Sequence, residues 1–99
     1  PFGPIVPILT FKSFDEVMKR ANDNDLGLCS YVYTTDLKRA NEASETLESG
    51  CVAVNTPAVA VAEAPFGGIK QTGYGREGGS MAIKDYLNIK YTHFGISYE

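Results

Sequence analysis

The most regular spacing of candidate functional residues lies late in the chain, in a G-x-G-x-x-G run. Its glycines are Gly73, Gly75 and Gly78. Such a run binds dinucleotide phosphates when a strand precedes it, a helix opens at it and an acidic residue lies on a second strand ~20 positions later. Segment 65–72 has no strand pattern, and that acidic position would fall at the last two residues. The spacing therefore favours a turn with closely packed backbone, and a stand-alone dinucleotide-binding module stays the alternative.

The two cysteines are the next candidates for chemistry. Cys29 and Cys51 lie in apolar runs, and free cysteine is among the most frequently buried residue types. A nucleophilic thiol needs a positively charged or helix N-terminal setting, and neither cysteine has one in the sequence. The single histidine, His93, lies in a predicted strand, and no set of residues has metal-ligand spacing. We therefore expect two buried, reduced cysteines and no side-chain metal site.

The composition limits the class of protein. The 99 residues are 43% hydrophobic and 21% charged, with a net charge of −3, which is typical of a globular protein. An acidic balance disfavours nucleic acid and anionic membranes as partners, and no run approaches the ~20 apolar residues of a membrane span. We expect a cytoplasmic protein. Because the chain starts with Pro1, we interpret it as a processed, proteolysed or deliberately cut piece of a longer protein, or as a chain whose start was not recorded.

The secondary-structure elements predicted along the chain follow an α/β order. We predict a strand at 5–11, a helix capped by Ser13 with Glu16, a strand at 28–33, a helix from Thr35 or Asp36 to about Ser49, and a strand at 51–55. This order predicts a partial parallel sheet, βαβαβ. A long glycine-rich loop follows at 56–79, then a short helix at 81–88 and a terminal strand at 89–96.

One longer string is more specific than the glycine spacing. The run 65–77, P-F-G-G-I-K-Q-T-G-Y-G-R-E, closely resembles the C-terminal signature of the aldehyde dehydrogenase superfamily, with Thr72 where serine is usual. Three further elements, at 2–4, 21–28 and 54–55, match in family order and spacing, so the resemblance covers essentially the whole chain. The ending at 85–91 looks most like the succinate-semialdehyde dehydrogenase branch.

The resemblance implies an oxidoreductase that converts an aldehyde to a carboxylic acid with NAD or NADP. In that family a cysteine thiolate attacks the aldehyde, hydride leaves to the nicotinamide, and a glutamate activates water to hydrolyse the thioester. The nucleophile, that glutamate and the Rossmann-type domain lie upstream of this chain, and Cys29 and Cys51 do not match the nucleophile's motif. Residues 1–88 would form the C-terminal part of the catalytic domain, inactive alone.

The resemblance also implies roles for individual residues. Phe2 would pack near the nicotinamide, with ordinary core packing as the alternative. Phe66, with Ala60 and Val61, would line the aldehyde tunnel. Glu77 would relay protons, with a buried ion pair as the alternative. The backbone carbonyls of Lys70 and Gly73 would hold a monovalent cation.

The partners implied are a small aldehyde and a second copy of the chain. Residues 89–99 would form an oligomerisation strand that builds a homodimer or homotetramer. The segment Ala58-Val59-Ala60-Val61-Ala62 has no hydroxyl, where the succinate-semialdehyde branch commonly offers a serine. This difference favours a less polar aldehyde. A non-catalytic oligomerisation module is the alternative function.

Overall fold

The first helix, α1, spans Phe14–Asn22 and begins where its sequence predicts. The structure is a computed structural model that describes residues 3–97. Ser13 is the N-cap, and its hydroxyl accepts a hydrogen bond from the Glu16 N–H at 3.2 Å. The Glu16 carboxylate accepts the N–H of Lys12 at 2.9 Å, one residue earlier than in the usual capping box. The predicted helix start is confirmed, with this shift of one donor.

The second helix, α2, spans Leu37–Thr46. Asp36 is its N-cap and accepts the backbone N–H groups of Lys38 and Arg39 at 2.9 and 3.2 Å. Ala40 and Ala43, from the predicted inward face, are buried. The cap and the centre of this face are therefore confirmed.

The end of α2 comes earlier than the sequence suggests. We expected the helix to continue to about Ser49, and this is wrong, because Leu47 is already in the extended region. The side chain of Asn22, at the end of α1, donates to the Thr46 carbonyl at 2.8 Å and accepts the Glu48 N–H at 2.9 Å. A side chain 26 residues away in sequence thus satisfies backbone groups that a longer helix would pair internally.

The helix α2 connects the two strands of a parallel pair. Strand β2 (Cys29–Val32) pairs with β3 (Cys51–Val54), with Cys29 opposite Cys51 and Val32 opposite Val54. The predicted parallel pairing of these two strands is confirmed. Asn55 ends the pair at φ 56°, and its carboxamide exchanges two hydrogen bonds of 2.9 Å with the backbone of Thr34.

A second, antiparallel pair was not predicted. Strand β1 (Leu26–Gly27) pairs with β4 (Ile69–Lys70), inside the segment that we expected to be a strandless loop. The Gly27 N–H donates to the Thr72 hydroxyl at 2.8 Å. This bond explains why a hydroxyl residue suits position 72.

Two predicted elements are wrong. Segment 5–11 forms no strand, and the helix expected at 81–88 is a 3₁₀ helix at Ala82–Tyr86 without a capping side chain. A β-strand is defined by its hydrogen bonds to a neighbouring strand, and within residues 3–97 no strand pairs with segment 5–11 or segment 89–96. Segment 89–96 has no partner strand in this single chain, so its predicted pairing with a second copy stays a prediction. The βαβαβ prediction therefore reduces to one βαβ unit preceded by α1.

The buried apolar core among the described residues is small. It consists of Ala40, Ala43 and Ala53. The radius of gyration is 19.8 Å, against about 13 Å for a compact domain of this length. Both extended segments are exposed, with Ile8 at 85% and Ile89 at 102% of full exposure. Within residues 3–97, every helix is too short or too polar to cross a bilayer.

Candidate functional site

A cleft of about 320 Å³ lies within the glycine-rich loop, between segment 60–62 and the residues Phe66, Glu77 and Gly78. Its lining residues are Ala60, Val61, Ala62, Phe66, Glu77 and Gly78. The structure thus brings the three predicted tunnel residues and the predicted relay residue to one place. Apart from the Glu77 carboxylate, the side chains lining the cleft are apolar.

Phe66 and Glu77 are held opposite each other by their backbones. The Phe66 N–H donates to the Glu77 carbonyl, and the Glu77 N–H donates to the Phe66 carbonyl, each at 2.7 Å. This isolated antiparallel bridge places the two side chains on the same face, as for any directly opposed pair. Both residues also line a second cleft of about 610 Å³. The Phe66–Glu77 bridge therefore forms a shared wall between two clefts.

Two glycines that follow Glu77 allow the chain to pack closely against the segment that contains Ala60 and Val61. Gly78 and Gly79 have φ values of 70° and 61°, a region that side chains other than glycine's rarely adopt. A Cβ at Gly78 would lie 2.8 Å from the Ala64 carbonyl oxygen. The Gly79 N–H donates to the Ala62 carbonyl at 2.8 Å. These contacts hold segment 60–62 next to Glu77.

Arg76 and Asp85 fix the other side of the bridge. The Arg76 guanidinium donates from Nη1 to the carbonyl oxygens of Gly68 and Gly75, at 2.9 and 2.8 Å. The Arg76 N–H donates to Asp85 Oδ2 at 2.8 Å. A charged donor on carbonyl oxygens makes a stronger hydrogen bond than a neutral one. The 3₁₀ helix is thereby tied to the residue that precedes Glu77.

The loop also rests on the sheet at one very close backbone contact. A Cβ at Gly50 would lie 1.8 Å from the Gly67 carbonyl oxygen. Gly50 leads directly into β3, and Gly67 follows Phe66 in the chain. Sequence reasoning treated Gly50 as a helix stop and missed this contact, along with Arg76 and Asp85. The clustering of glycines at 67–68 was the available signal.

The comparison with known proteins assigns the family. The model of the aldehyde dehydrogenase family matches residues 1–92. This chain belongs to the aldehyde dehydrogenase family. The resemblance seen in the sequence is therefore confirmed.

Individual relatives span several aldehyde dehydrogenases. A 3-sulfolactaldehyde dehydrogenase from Pseudomonas putida is 52% identical over 94 residues, or 95% of this chain and 19% of the relative. The NADP⁺-dependent succinate-semialdehyde dehydrogenase of Escherichia coli K12 is 46% identical, over 96% of this chain and 20% of its own length. An NAD⁺ complex of an aldehyde dehydrogenase from Bacillus cereus superposes with a TM-score of 0.86 at 43% identity, over 90% of this chain and 18% of that one. The chain thus spans about a fifth of the length of these relatives.

Within this aldehyde dehydrogenase chain, the cysteines lie in the sheet. Both are free and half-buried. Burial, followed by the neighbouring Cys51 thiol, raises the pKa of the Cys29 thiol above its ordinary value of 9.0. A nucleophilic cysteine needs a lowered pKa, so the environment of Cys29 agrees with its exclusion as nucleophile.

Lys70 and Gly73 lie on one turn. Lys70 has φ 56° and Gly73 has φ 124°, and the Lys70 carbonyl accepts the Gly73 N–H at 3.5 Å. The Lys70 ammonium binds the carbonyls of Asn22 and Asn24 at 2.9 and 3.1 Å and the Glu48 carboxylate at 2.6 Å. The side chain of Lys70 therefore joins the ends of α1 and α2 to the glycine-rich loop. Cation binding by the two backbone carbonyls stays a prediction.

Phe2 lies outside the described residues, so its role near the nicotinamide stays a prediction. The Glu77 carboxylate has no hydrogen-bond or ion-pair partner among residues 3–97, so its relay role stays a prediction. The G-x-G-x-x-G run is irregular backbone between turns at 71–72 and 79–80, with Gly75 at φ 85°, and leads to the short 3₁₀ helix. This context favours the predicted turn over a phosphate site.

Proposed function

We propose that this chain is the C-terminal part of the catalytic domain of an NAD- or NADP-dependent aldehyde dehydrogenase. Residues 1–88 contribute to that domain and residues 89–99 form an oligomerisation strand. The whole enzyme oxidises an aldehyde to the carboxylic acid through a cysteine thioester, with a nucleophile, a general base and a Rossmann domain outside this chain. The observation that carries the proposal is the cleft in which Phe66 and Glu77 are paired.

The cleft binds the aldehyde's chain. Phe66 offers a flat apolar wall, and Ala60 and Val61 line the same cleft, a lining that suits a small apolar group. NAD or NADP supplies the hydride acceptor when bound, and Phe2 packs near its nicotinamide. Glu77, on the same cleft, carries protons between the reaction and water.

The same lining favours a less polar aldehyde over one with a distal carboxylate. Ala60 and Val61 bear no hydroxyl that could bind a carboxylate, and the negative charge of Glu77 repels one. Succinate semialdehyde is the substrate that the subfamily resemblance suggests, so it is the right competitor. We expect its kcat/KM to lie below that of an unbranched aliphatic aldehyde of similar length.

The test uses the full-length enzyme and both aldehydes. Phe66→Ala is expected to lower kcat/KM for the aliphatic aldehyde about tenfold or more, because an apolar wall is lost. Glu77→Gln is expected to lower kcat and flatten its pH profile. Phe14→Ala, an equal truncation on α1 away from the cleft, should leave the ratio between the aldehydes unchanged. An unchanged ratio in Phe66→Ala would contradict the assignment of the cleft.

The terminal segment supports the oligomer. Ile89, Tyr91, Phe94 and Ile96 are exposed, and no strand among residues 3–97 pairs with them. A second copy would supply that pairing, giving a homodimer or homotetramer. Free cysteines accord with a cytoplasmic location. The family match favours the enzyme over a non-catalytic oligomerisation module.

A further inference from the structure

Two cysteines that take no part in the cleft lie side by side in the sheet. Cys29 opens β2, Cys51 opens β3, and the two are paired in register across the parallel ladder. Paired positions of neighbouring strands are about 4.8 Å apart and point their side chains to the same face. Disulfide-linked cysteines have Cα atoms about 4.4–6.8 Å apart. The backbone therefore already holds these two residues at a separation that a disulfide spans.

One of the two thiols has a backbone partner. Cys51 Sγ donates to the Gly67 carbonyl at 3.8 Å. Both residues are half-buried in the described chain. Each cysteine is anchored in a strand of the parallel ladder, which keeps the pair together while either thiol reacts.

We propose that Cys29 and Cys51 form a dithiol site that exchanges with a small-molecule disulfide, of which oxidised glutathione is the type, to give an intramolecular disulfide. One protein thiol loses its proton, and its thiolate attacks a sulfur of the disulfide, forming a mixed disulfide and releasing one glutathione thiolate. The second protein thiolate then attacks the protein sulfur of the mixed disulfide and releases the second glutathione thiolate. Two protein thiols are oxidised, one glutathione disulfide is reduced, and the two protons end on the two released thiolates.

Ring closure is favoured by proximity. A well-oriented intramolecular attack proceeds with an effective concentration far above that of free glutathione. We therefore expect the intramolecular disulfide to exceed the mixed disulfide by about tenfold or more. Closure also removes the Cys51 S–H donor from the Gly67 carbonyl, next to Phe66 in the chain.

The experiment maps the products on the full-length enzyme. The protein is incubated with oxidised glutathione near pH 8, remaining thiols are alkylated, and the protein is digested with trypsin for mass spectrometry. Cleavage at Arg20, Lys38, Arg39 and Lys70 places the two cysteines on separate peptides, 21–38 and 40–70. The expected product is a linked pair of these peptides that disappears after reduction.

Cys29→Ser and Cys51→Ser serve as matched controls. Each should retain glutathione as a stable mixed disulfide on the remaining cysteine, because no second thiol displaces it. Unmodified peptides in the wild type, or glutathione retained on them without a link, would overturn the proposal. Since the readout is a peptide mass, neither result bears on the proposed aldehyde oxidation.

Discussion

Replacing Gly50 by alanine tests how the cleft is held against the sheet. The added Cβ would lie 1.8 Å from the Gly67 carbonyl oxygen and 2.9 Å from the Gly68 Cα. Real Cβ atoms essentially never come closer than 3.0 Å to another heavy atom. Both obstructing atoms are backbone, so a side-chain rotation relieves nothing. Segment 66–68 must therefore move away from the sheet by about 1 Å or more, since packed backbone does not compress.

The displacement has a cost in stability and a cost in activity. Overpacking of this kind costs about 1–3 kcal/mol, and backbone obstruction puts Gly50→Ala at the upper end or beyond. Phe66 moves with Gly67, and if Phe66 lines the aldehyde cleft as proposed, a displacement of about 1 Å should lower the rate by up to about 10²-fold.

The assay measures the thermal unfolding midpoint and kcat/KM for an aliphatic aldehyde in the full-length enzyme. Glu45→Ala is the control, because Glu45 is an exposed residue of α2 and its side chain makes no hydrogen bond or ion pair among residues 3–97. We expect Gly50→Ala to lose both stability and activity, and Glu45→Ala to keep both. If the two variants behave alike, the close approach does not hold the loop. If stability falls while kcat/KM stays, the loop moves without carrying Phe66.

Three further predictions concern the rest of the chain. Asp85→Ala removes the acceptor of the Arg76 N–H and should cost about 1 kcal/mol, measured by denaturant unfolding, whereas Asp85→Asn, which keeps an acceptor oxygen, should recover most of it. The N–H of Lys12, followed by other donors nearby, lowers the pKa of Glu16 below its ordinary 4.5. The stabilisation by Glu16 is thus present above the unfolded-state pKa and lost as pH falls through the folded-state pKa. Glu16→Gln should therefore flatten the fall in the free energy of unfolding at acid pH, measured by denaturant unfolding. An equally steep fall in both proteins would argue against this role of Glu16. The isolated 99-residue chain should self-associate in ultracentrifugation, since its radius of gyration is 19.8 Å and its extended segments expose large apolar side chains; a monomer that unfolds cooperatively would disprove this.

Features with a local cause could be predicted from the sequence. Ser13 and Asp36 cap their helices because a short oxygen-bearing side chain reaches the next free N–H groups. The β-branched and apolar residues of β2 and β3, separated by one helix, required a parallel pair. The family's motifs identified the cleft residues before their positions were known.

Features that depend on distant partners could not be predicted. Segments 5–11 and 89–96 have strand-like composition, but a ladder needs a second strand, and none among the described residues faces them. The end of α2 depends on Asn22, and β4 depends on β1. The side-chain pattern describes one segment at a time. It therefore cannot show which of that segment's backbone groups will form hydrogen bonds with a distant segment.

The spacing of the 73–78 run matches a phosphate-binding motif, but Gly75 and Gly78 are each required for a different local reason. Gly75 combines φ 85° with a carboxylate oxygen of Asp85 only 3.0 Å from where a Cβ would lie. Gly78 combines φ 70° with the Ala64 carbonyl at 2.8 Å. Each contact brings a neighbouring segment against the Phe66–Glu77 bridge, from the 3₁₀ helix on one side and from the 60–65 segment on the other. At Gly75 and Gly78 the missing Cβ atoms let neighbouring segments approach the Phe66–Glu77 bridge, which makes these two glycines determinants of the cleft's shape.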